Sequence, residues 1–258
     1  MSNVKLSKAL TWVLRHSAPS LGLQLAPDGF VQVRSVLSLD HPRFRKDGQP
    51  KFSVDDVIQV VENNDKQRFR LEYRTLLEDG TLLKEDVVDG TTHYTASGDE
   101  NQSKDHVEQN NTHQSKRVLC IRANQGHSFR GIQADQLLTQ LTKEQLADPD
   151  LTIIHGTTRK AWEGHIQHEG LSRMKRNHIH FATDLPKSPN KPISGMRSSS
   201  EIYIYINGRK CADDGIAFYR SDNGVILTAG VKEEGMLSLK YFEKVVYALS
   251  GKIMWSPT

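Results

Sequence analysis

Residues 1–78 alternate helical and strand-like patterns of apolar side chains. Apolar residues recur at helical spacing over residues 6–14, which predicts a first helix that ends at Arg15 and His16. In LQLAPDGFVQV, apolar residues alternate on both sides of a Pro-Asp-Gly turn, and this pattern predicts a short hairpin. A cationic and a titratable side chain are therefore expected together at the end of the first helix.

Two more helices and a strand are predicted before residue 78. The second helix is expected over residues 31–39. The third is expected after Ser53, because Asp56 stands at the capping-box position and VDDVIQVV carries one apolar stripe. In KQRFRLEY, charged residues that include Arg68 alternate with apolar ones, which predicts a strand with one buried and one charged face. Helices and a small hairpin in this order predict a winged-helix-like lobe over residues 1–78.

Residues 79–116 are polar, rich in Asn, Gln, Asp and Ser, and nearly free of aromatic side chains. Such a stretch buries too little apolar surface to offset the entropy lost on ordering it. We therefore expect an inserted loop or linker over 79–116 that divides the chain into two lobes.

The remaining residues, 117–258, are predicted to be mostly strands, in RVLCIRA, LTIIHGT, NHIHFAT, EIYIYING, GIAFYRS, GVILTAG and KVVYALSG. Ser-Asp-Asn-Gly between GIAFYR and VILTAG predicts a hairpin. One helix is predicted in RKAWEGHIQHEG, with Thr157 or Thr158 as its N-cap and Gly170 at its end. The two lobes together predict the α+β class.

The composition is that of a globular protein and argues against a membrane-spanning protein and against a disulfide-rich one. Of the 258 residues, 36% are hydrophobic and 25% are charged, and no apolar run approaches the roughly 20 residues that cross a bilayer. Only Cys120 and Cys211 are present, so we expect no disulfide scaffold and a reducing compartment, the cytoplasm or the nucleus. The formal net charge of +3 does not by itself indicate a nucleic-acid partner.

Four places carry groups suited to binding phosphate. They are Arg15 with His16, Arg68, the motif IRANQGHS, and Arg176 in MKRNHIHFA. Arginine suits phosphate because its planar fork donates two parallel charge-assisted hydrogen bonds. Each place also has a structural explanation, because Arg15 and His16 complement the dipole of a helix C-terminus and Arg68 suits a solvated strand face. No single place therefore defines a site.

His155-Gly156-Thr157 ends an apolar strand just before a helix. A glycine at this position lets a ligand approach the backbone, and the N-terminus of the helix favours an anion. A capped turn between a strand and a helix is the alternative interpretation.

Histidine pairs in the chain suggest two further alternatives. His178 and His180 face the same way on a predicted strand and form a possible zinc site with His155, but no carboxylate or cysteine completes it, so no metal is expected. The motifs HQS, from His113, and HGT, from His155, are similar to the paired motifs of cyclic phosphodiesterases. The first copy lies in the polar stretch without a strand around it, which argues against that pairing.

Six motifs occur in one order: LSKALTWVLRH, KQRFRL, IRANQGHS, IIHGT, GLSRMKRNHIHFA and ISGMRSSSEIYIYI. In this order they closely resemble the NAD-dependent tRNA 2'-phosphotransferase family, from Leu6 to about Ala229. The resemblance implies an N-terminal winged-helix lobe that binds RNA and a C-terminal lobe with the ADP-ribosyltransferase fold. The polar stretch before RVLCIRANQGHS is longer than is typical of the family.

The resemblance also implies the functional residues. The family's catalytic set falls on Arg15, His16, Arg68 and Arg176, all of which are intact. A position near Val225, where protein-modifying members of the wider superfamily often carry a catalytic Glu, is hydrophobic here as in the resembled family. The cofactor contacts implied by the resemblance are His155, Gly156 and Thr157 at the nicotinamide ribose and carboxamide, His180 on the ring, and Ser194 and Arg197 at the phosphates.

The reaction implied by the family removes the internal 2'-phosphate of spliced tRNA, the last step of tRNA splicing, with NAD consumed as co-substrate. The 2'-phosphate attacks the anomeric carbon of the nicotinamide ribose, and nicotinamide leaves. The ribose 2''-hydroxyl then attacks phosphorus, which releases RNA with a 2'-hydroxyl and ADP-ribose 1'',2''-cyclic phosphate. The three arginines are expected to stabilise charge on the phosphate, while His16 either binds it or protonates the leaving RNA oxygen.

We expect a monomer whose partners are RNA with an internal 2'-phosphate and NAD, with no membrane partner. Two other functions stay open. One is an ADP-ribosyltransferase that stops after the first step and modifies a terminal phosphate of nucleic acid or a protein. The other is a catalytically inactive RNA-binding module. A 2'-hydroxyl RNA product together with ADP-ribose cyclic phosphate distinguishes the predicted enzyme from both.

Overall fold

A computed structural model describes residues 2–88, 91–95, 116–185 and 194–257. It contains both helices and strands, in agreement with the predicted α+β class. Contacts divide the chain into two compact units, each built from three segments. Unit 1 comprises Met1–Asn63, Phe69–Ala123 and Arg130–Gln136, and unit 2 comprises Asn64–Arg68, Asn124–Phe129 and Leu137–Thr258.

These units differ from the predicted boundaries at three segments. Asn64–Arg68 belongs to unit 2 although it falls within residues 1–78, and Arg130–Gln136 belongs to unit 1 although it falls within residues 117–258. The strand Lys116–Ala123 belongs to unit 1, whereas the sequence pattern grouped it with the second lobe. The winged-helix and ADP-ribosyltransferase types of the two lobes, and their boundaries at residues 78 and 116, stay predictions.

Unit 1 packs short helices beside one antiparallel sheet. Its helices are Ser2–Trp12, Val33–Leu37 and Val54–Glu62, the first continued by the wider π-helical turn Val13–Ser17, and a 3-10 turn follows at Pro19–Leu21. Ala134–Leu137 is a further short helix. The sheet order is Val31–Gln32, Lys116–Ala123, Phe69–Leu76, Leu82–Val88 and Thr91–Thr95, and Arg45–Lys46 pairs separately with Gln49–Pro50.

Capping fixes the start of the third helix, as the sequence predicts. The hydroxyl of Ser53 accepts a hydrogen bond from the backbone N–H of Asp56 at 3.1 Å, and a carboxylate oxygen of Asp56 accepts one from the Ser53 N–H at 2.8 Å. Each bond satisfies a backbone or side-chain group that is otherwise left without a partner at a helix end. The first helix also agrees with its predicted stripe, since Leu6 and Leu10 are buried.

Two expectations for unit 1 are wrong. The Pro-Asp-Gly segment does turn, since Gly29 N–H donates to the Ala26 carbonyl oxygen at 2.8 Å, but Val31–Gln32 pairs with Lys116–Ala123 instead of closing a hairpin with LQL. The polar stretch is not all loop, because Leu82–Val88 and Thr91–Thr95 are strands that extend the sheet from Phe69–Leu76. Backbone hydrogen bonds to a neighbouring strand order these two strands, although their side-chain pattern does not predict them. Residues 96–115 lie outside the described residues.

Unit 2 contains two four-stranded antiparallel sheets. One has the order Ile179–Phe181, Ile226–Thr228, Tyr219–Arg220 and Thr139–Gln140, and the other Ile253–Trp255, Phe242–Tyr247, Ile202–Ile206 and Ile154–Thr157. The strands Leu171–Ser172 and Met236–Leu237 form a separate pair. Helical segments are Lys143–Ala147, Arg159–Ala161, Trp162–Ile166, Gln167–Glu169, Gly208–Asp213 and Leu239–Tyr241.

One apolar core joins both sheets of unit 2. Phe181 from the first sheet, Phe218 directly before its strand Tyr219–Arg220, and Ile204 and Val245 from the second sheet are fully buried in the same cluster. The predicted hairpin is present, because Gly224 N–H donates to the Ser221 carbonyl oxygen at 2.8 Å between the paired strands. These contacts fix the strand ends on which the candidate site lies.

Burial also explains the state of the two cysteines. Cys120 in unit 1 and Cys211 in unit 2 are free and buried, and burial raises the pKa of each thiol to about 12. Both are therefore protonated and unreactive at neutral pH. In the part of the chain that the structure describes, no helix has the length and apolar character needed to span a membrane.

Candidate active site

The two sheets of unit 2 meet at His155. Ile154 and Ala182 exchange backbone hydrogen bonds of 2.9 and 2.8 Å, which joins the edge strand Ile154–Thr157 to the end of the strand Ile179–Phe181. This bridge places Nδ1 of His155 3.0 Å from the backbone carbonyl oxygen of His180. A carbonyl oxygen only accepts, so Nδ1 carries the hydrogen and Nε2 of the neutral ring is left as an acceptor.

Positive charge surrounds the His155 ring. Burial lowers the pKa of His155 below its usual value, the hydrogen bond to the His180 carbonyl acts in the opposite direction, and Arg197 and Arg176 lower it further. Burial and then Arg197 also lower the pKa of Arg176, although a guanidinium stays cationic in proteins. A neutral imidazole beside two guanidinium groups is an arrangement that attracts an anion.

Gly156 lets another segment approach the strand closely. A methyl group at this position would overlap the side chains of Met196 and Ser200, so the Ser194–Ser200 segment packs directly against the strand end. The Ser200 hydroxyl donates to the Arg197 carbonyl oxygen at 2.8 Å, which holds the turn that carries Arg197. The backbone oxygen of Thr157 accepts from the N–H of Glu201 at 2.8 Å. These contacts bring the predicted cofactor residues on two segments together.

Backbone strain lies next to two predicted catalytic arginines. Gln67, directly before Arg68, has φ of 42°, and Met174, two residues before Arg176, has φ of 56°. Residues other than glycine rarely adopt this left-handed region, and such residues cluster at functional sites. In each case the surrounding hydrogen bonds hold the strained segment in place.

Arg68 lies in a loop just before the strand Phe69–Leu76 and not on its charged face. One guanidinium nitrogen donates to the side-chain oxygen of Asn64 at 3.2 Å. Burial lowers the pKa of Arg68, and Asp65 acts in the opposite direction. The Arg68 side chain is thus oriented by an amide and half withdrawn from solvent.

Comparison with known proteins gives one consistent result. Residues 1–230 match the model of the family described as "RNA 2'-phosphotransferase, Tpt1 / KptA family". tRNA 2'-phosphotransferase 1 of Homo sapiens is 40% identical over 244 residues, 95% of this chain and 76% of the relative. tRNA 2'-phosphotransferase 1 of Danio rerio is 38% identical over 242 residues, 94% of this chain and 84% of the relative.

The chain belongs to the RNA 2'-phosphotransferase family. The family predicted from the six ordered motifs is confirmed, as is the prediction of a transferase. A longer relative from Schizosaccharomyces pombe is 39% identical over 242 residues, and the chain spans 51% of its length.

The other two residues of the predicted catalytic set, Arg15 and His16, lie in unit 1. Both belong to the π-helical turn Val13–Ser17 that continues the first helix. Arg15 is only 8% exposed, which is unusual for a cation, whereas His16 is exposed. Wider turns of this kind often occur at functional sites of helices. The sequence predicts the helix end but gives no sign of the wider turn.

Ser194, a predicted contact to the cofactor's phosphates, makes a hydrogen bond within unit 2. Its hydroxyl donates to the backbone oxygen of Lys66 at 3.0 Å, and the side-chain amide of Asn223 donates to the same oxygen at 2.9 Å. The Lys66 ammonium in turn donates to the Met196 carbonyl oxygen at 2.9 Å. Ser194 therefore connects the Arg197 turn to the segment that ends in Arg68, and its contact to the cofactor stays a prediction.

Three polar side chains near the arginines were not singled out from the sequence. Asn124 and Gln125 are buried, at 4% and 7% exposure, and Asn177 directly follows Arg176. The side-chain oxygens of Asn124 and Gln125 accept no hydrogen bond from the described residues. IRANQGHS identified this loop only as a whole motif, because the burial of an individual amide depends on the tertiary structure.

His178 and His180 do not gather with His155 into a metal site. His178 contacts the Tyr219 ring edge-on at 6.1 Å between centroids, and His155 contacts Phe181 at 6.0 Å. Among the residues described, no three His, Cys, Asp or Glu side chains are grouped to hold a metal ion.

Proposed function

We propose that this protein is an NAD-dependent RNA 2'-phosphotransferase that removes the internal 2'-phosphate of spliced tRNA, the last step of tRNA splicing. One observation carries the proposal: a neutral His155 lies within the electrostatic influence of Arg176 and Arg197, next to Gly156, against which the segment carrying Arg197 packs. Family membership supplies the reaction class, and relatives from Homo sapiens and Danio rerio are named as tRNA 2'-phosphotransferases.

The residues of this strand end fit NAD in charge and hydrogen-bonding character. NAD carries two anionic phosphates and a neutral carboxamide, which suit guanidinium donors and a neutral imidazole respectively. When bound, it supplies the ribose carbon that accepts the 2'-phosphate, and it ends as nicotinamide and ADP-ribose 1'',2''-cyclic phosphate. His155, Gly156 and Thr157 hold the nicotinamide ribose and carboxamide, His180 contacts the ring, and Arg197 and Ser194 contact the phosphates.

The arginines act on the phosphate that is transferred. A phosphate dianion is already nucleophilic, so the first step needs orientation and charge balance more than a strong base. In the second step negative charge grows on the phosphate oxygens, and fixed cationic donors stabilise it. We assign this role to Arg68 and Arg176 in unit 2 and to Arg15 in unit 1.

His16 completes the catalytic set. A histidine side chain either binds the phosphate or donates a proton to the leaving RNA oxygen. His16 is exposed, as a residue that meets a large RNA substrate must be. No metal ion enters this scheme, because arginine side chains supply the positive charge.

The decisive test uses the purified protein with NAD and an oligoribonucleotide that carries one internal 2'-phosphate. We expect nicotinamide, RNA with a 2'-hydroxyl, and ADP-ribose cyclic phosphate in equal amounts, measured by mass spectrometry. The same oligonucleotide without its 2'-phosphate is the control and should consume no NAD. ADP-ribosylated nucleic acid or protein without the 2'-hydroxyl product favours a transferase that stops early, and RNA binding without NAD consumption favours an inactive binding module.

A further inference from the structure

The loop Asn124–Phe129 of unit 2 is bonded at its start to the segment that carries Arg68. The backbone N–H of Asn124 donates to the Arg68 carbonyl oxygen at 2.9 Å, and its side-chain amide donates to the Gln67 carbonyl oxygen at 2.8 Å. Two bonds from one residue fix the direction of a backbone segment as well as its position. Asn124 therefore holds the strained Gln67–Arg68 segment in a single conformation.

The end of the same loop is bonded to the segment that carries Arg176. The backbone N–H of Asn177 donates to the His127 carbonyl oxygen at 3.0 Å, and its side-chain amide donates to the Phe129 carbonyl oxygen at 3.1 Å. The rings of His127 and Phe129 also contact each other edge-on at 5.6 Å. Asn177 thus repeats, beside the second arginine, the paired backbone and amide bonding that Asn124 makes beside the first.

These two attachments limit how far apart the arginine segments lie. Asn124 and His127 are three residues apart, so their Cα atoms are separated by at most about 11 Å even in a fully extended chain. Gly126 between them has φ of 90°, a conformation that suits glycine and shortens the path. The loop is therefore a short hydrogen-bonded connection between the backbone segments that carry Arg68 and Arg176.

We propose that Asn124 and Asn177 are positioning residues that set the spacing of Arg68 and Arg176 for phosphate transfer. The inference rests on the proposed function, in which both arginines stabilise the transferring phosphate. Donors that stabilise a transition state must be fixed before the reaction, and a displacement of about 1 Å costs about a hundredfold in rate. Each of the two amide hydrogen bonds is partly buried, and its backbone oxygen loses this donor if the side chain is removed.

Double-mutant cycles test whether Asn177 acts through Arg176. Asn177→Ala, Arg176→Ala and the double variant are assayed in single turnovers, with enzyme in excess over 2'-phosphorylated RNA and with saturating NAD. We expect Asn177→Ala to slow the release of 2'-hydroxyl RNA by about tenfold to a hundredfold in the wild-type background. In the Arg176→Ala background the same change should slow release less than about twofold, because the group that it positions is absent.

Asn207→Ala provides a matched control in unit 2. The Asn207 side chain caps the helix Gly208–Asp213 by accepting a hydrogen bond from the Lys210 N–H at 2.9 Å. Asn207→Ala also loses one hydrogen bond made by a side-chain amide, so it should lower the stability of the protein. Thermal unfolding then shows whether Asn207→Ala and Asn177→Ala are destabilised to a similar extent. We expect this variant to change the rate little, and by the same factor in both backgrounds.

A second cycle, Asn124→Ala against Arg68→Ala, keeps the inference testable if Asn177→Ala does not fold. In each cycle whose variants fold, we compare how much the Asn→Ala change slows RNA release with and without the partner arginine. Equal slowing in the two backgrounds would overturn the positioning role. It would do so without touching the proposed function, provided that the wild-type protein forms the 2'-hydroxyl product. A wild-type protein that forms no such product would overturn the proposed function and this inference with it.

Discussion

Nδ1 of His155 lies 3.0 Å from the backbone oxygen of His180, so the strand Ile179–Phe181 sets the tautomer of His155 in the strand Ile154–Thr157. With Nδ1 as the donor, Nε2 of the neutral ring is an acceptor. In a cluster otherwise made of arginines, this acceptor suits a hydroxyl or amide donor of the bound cofactor.

The first prediction follows from this acceptor. His155→Ala should raise the KM for NAD by about tenfold or more, because a lost partner to a polar ligand group costs about 1–3 kcal/mol. His165→Ala, an exposed histidine on the following helical segment, is the control and should leave the KM unchanged. Steady-state nicotinamide release over a range of NAD concentrations gives both values. An unchanged KM and turnover in His155→Ala would exclude a contact to the cofactor.

Acid should destabilise the protein through the same residue. The folded-state pKa of His155 lies below its unfolded value near 6.5, so the unfolded chain binds the proton more readily as pH falls below about 6.5. Stability is therefore complete above this pH and decreases below it. Burial lowers the pKa of His178 in the same direction.

Thermal unfolding between pH 7.5 and 5.5 measures this loss. We expect the wild-type melting temperature to fall as the pH decreases across this range. The melting temperature of His155→Gln should fall less, and part of its remaining fall is due to His178. Identical slopes for the two proteins would mean that His155 does not resist protonation in the folded state.

Arg176 should act mainly on the second chemical step. If it stabilises charge as RNA leaves, Arg176→Ala should release nicotinamide faster than it releases 2'-hydroxyl RNA, with the slow step reduced about a hundredfold to a thousandfold. Arg176→Lys should restore only part of the rate, because an ammonium does not provide two parallel donors. A time course that follows nicotinamide and RNA separately distinguishes the steps. Equal slowing of both products would place Arg176 in the first step or in binding.

Removing one partner of the buried ion pair in unit 1 should unfold the protein more easily. Arg74 is 1% exposed, donates to Asp28 at 3.2 Å and lies over the Phe30 ring at 4.0 Å. Arg74→Met should lower the free energy of unfolding by about 3–5 kcal/mol, because Asp28 is left buried and charged without its partner.

Urea denaturation of three variants checks this explanation. Arg74→Met combined with Asp28→Leu should regain much of the loss, since the buried carboxylate is gone and Glu72, which also loses Arg74, keeps its pair with Arg70. Arg159→Met, which removes a solvent-exposed pair with Glu163, should change the denaturation midpoint little. If the double variant is no more stable than Arg74→Met, the unpaired carboxylate is not the cause.

Residues 96–115 should be removable if the replacement spans the sheet. Thr95 precedes this segment and Lys116 follows it. The strands that carry these two residues lie three strand spacings apart in the sheet. With about 4.8 Å between strands and the offset in register, the ends are about 16 Å apart, which matches a Gly/Ser linker of about eight residues. Lys116 itself pairs with Leu76 and must be kept.

We expect such a deletion variant to be active within a few-fold of the wild type, measured with 2'-phosphorylated RNA and NAD. A deletion with the same linker that also removes Lys116 and Arg117 is the control, and it should be less stable because it shortens an interior strand that pairs with Phe69–Leu76. A folded, inactive variant that lacks only residues 96–115 would show that this segment serves the reaction.

Local patterns in the sequence determined the family, the α+β class and most of the element types. The capping box at Ser53, the Ser-Asp-Asn-Gly hairpin and the strand that contains His155 all depend on neighbours within a few residues, so the sequence suffices to predict them. The six ordered motifs identified Arg68, Arg176 and the HGT turn in the same way.

Tertiary structure decided what depends on residues far apart in the chain. Val31–Gln32 pairs with a strand about ninety positions away, and the strands in residues 82–95 are ordered by backbone bonds to a neighbour, which the side-chain pattern does not reveal. The buried Arg74, the depressed pKa of His155 and the attachment of Asn124 and Asn177 to the two arginine segments likewise arise only when distant segments pack together. The physical reason is that burial, electrostatic environment and long-range hydrogen bonding are properties of spatial neighbours, whereas capping and periodicity are properties of adjacent residues.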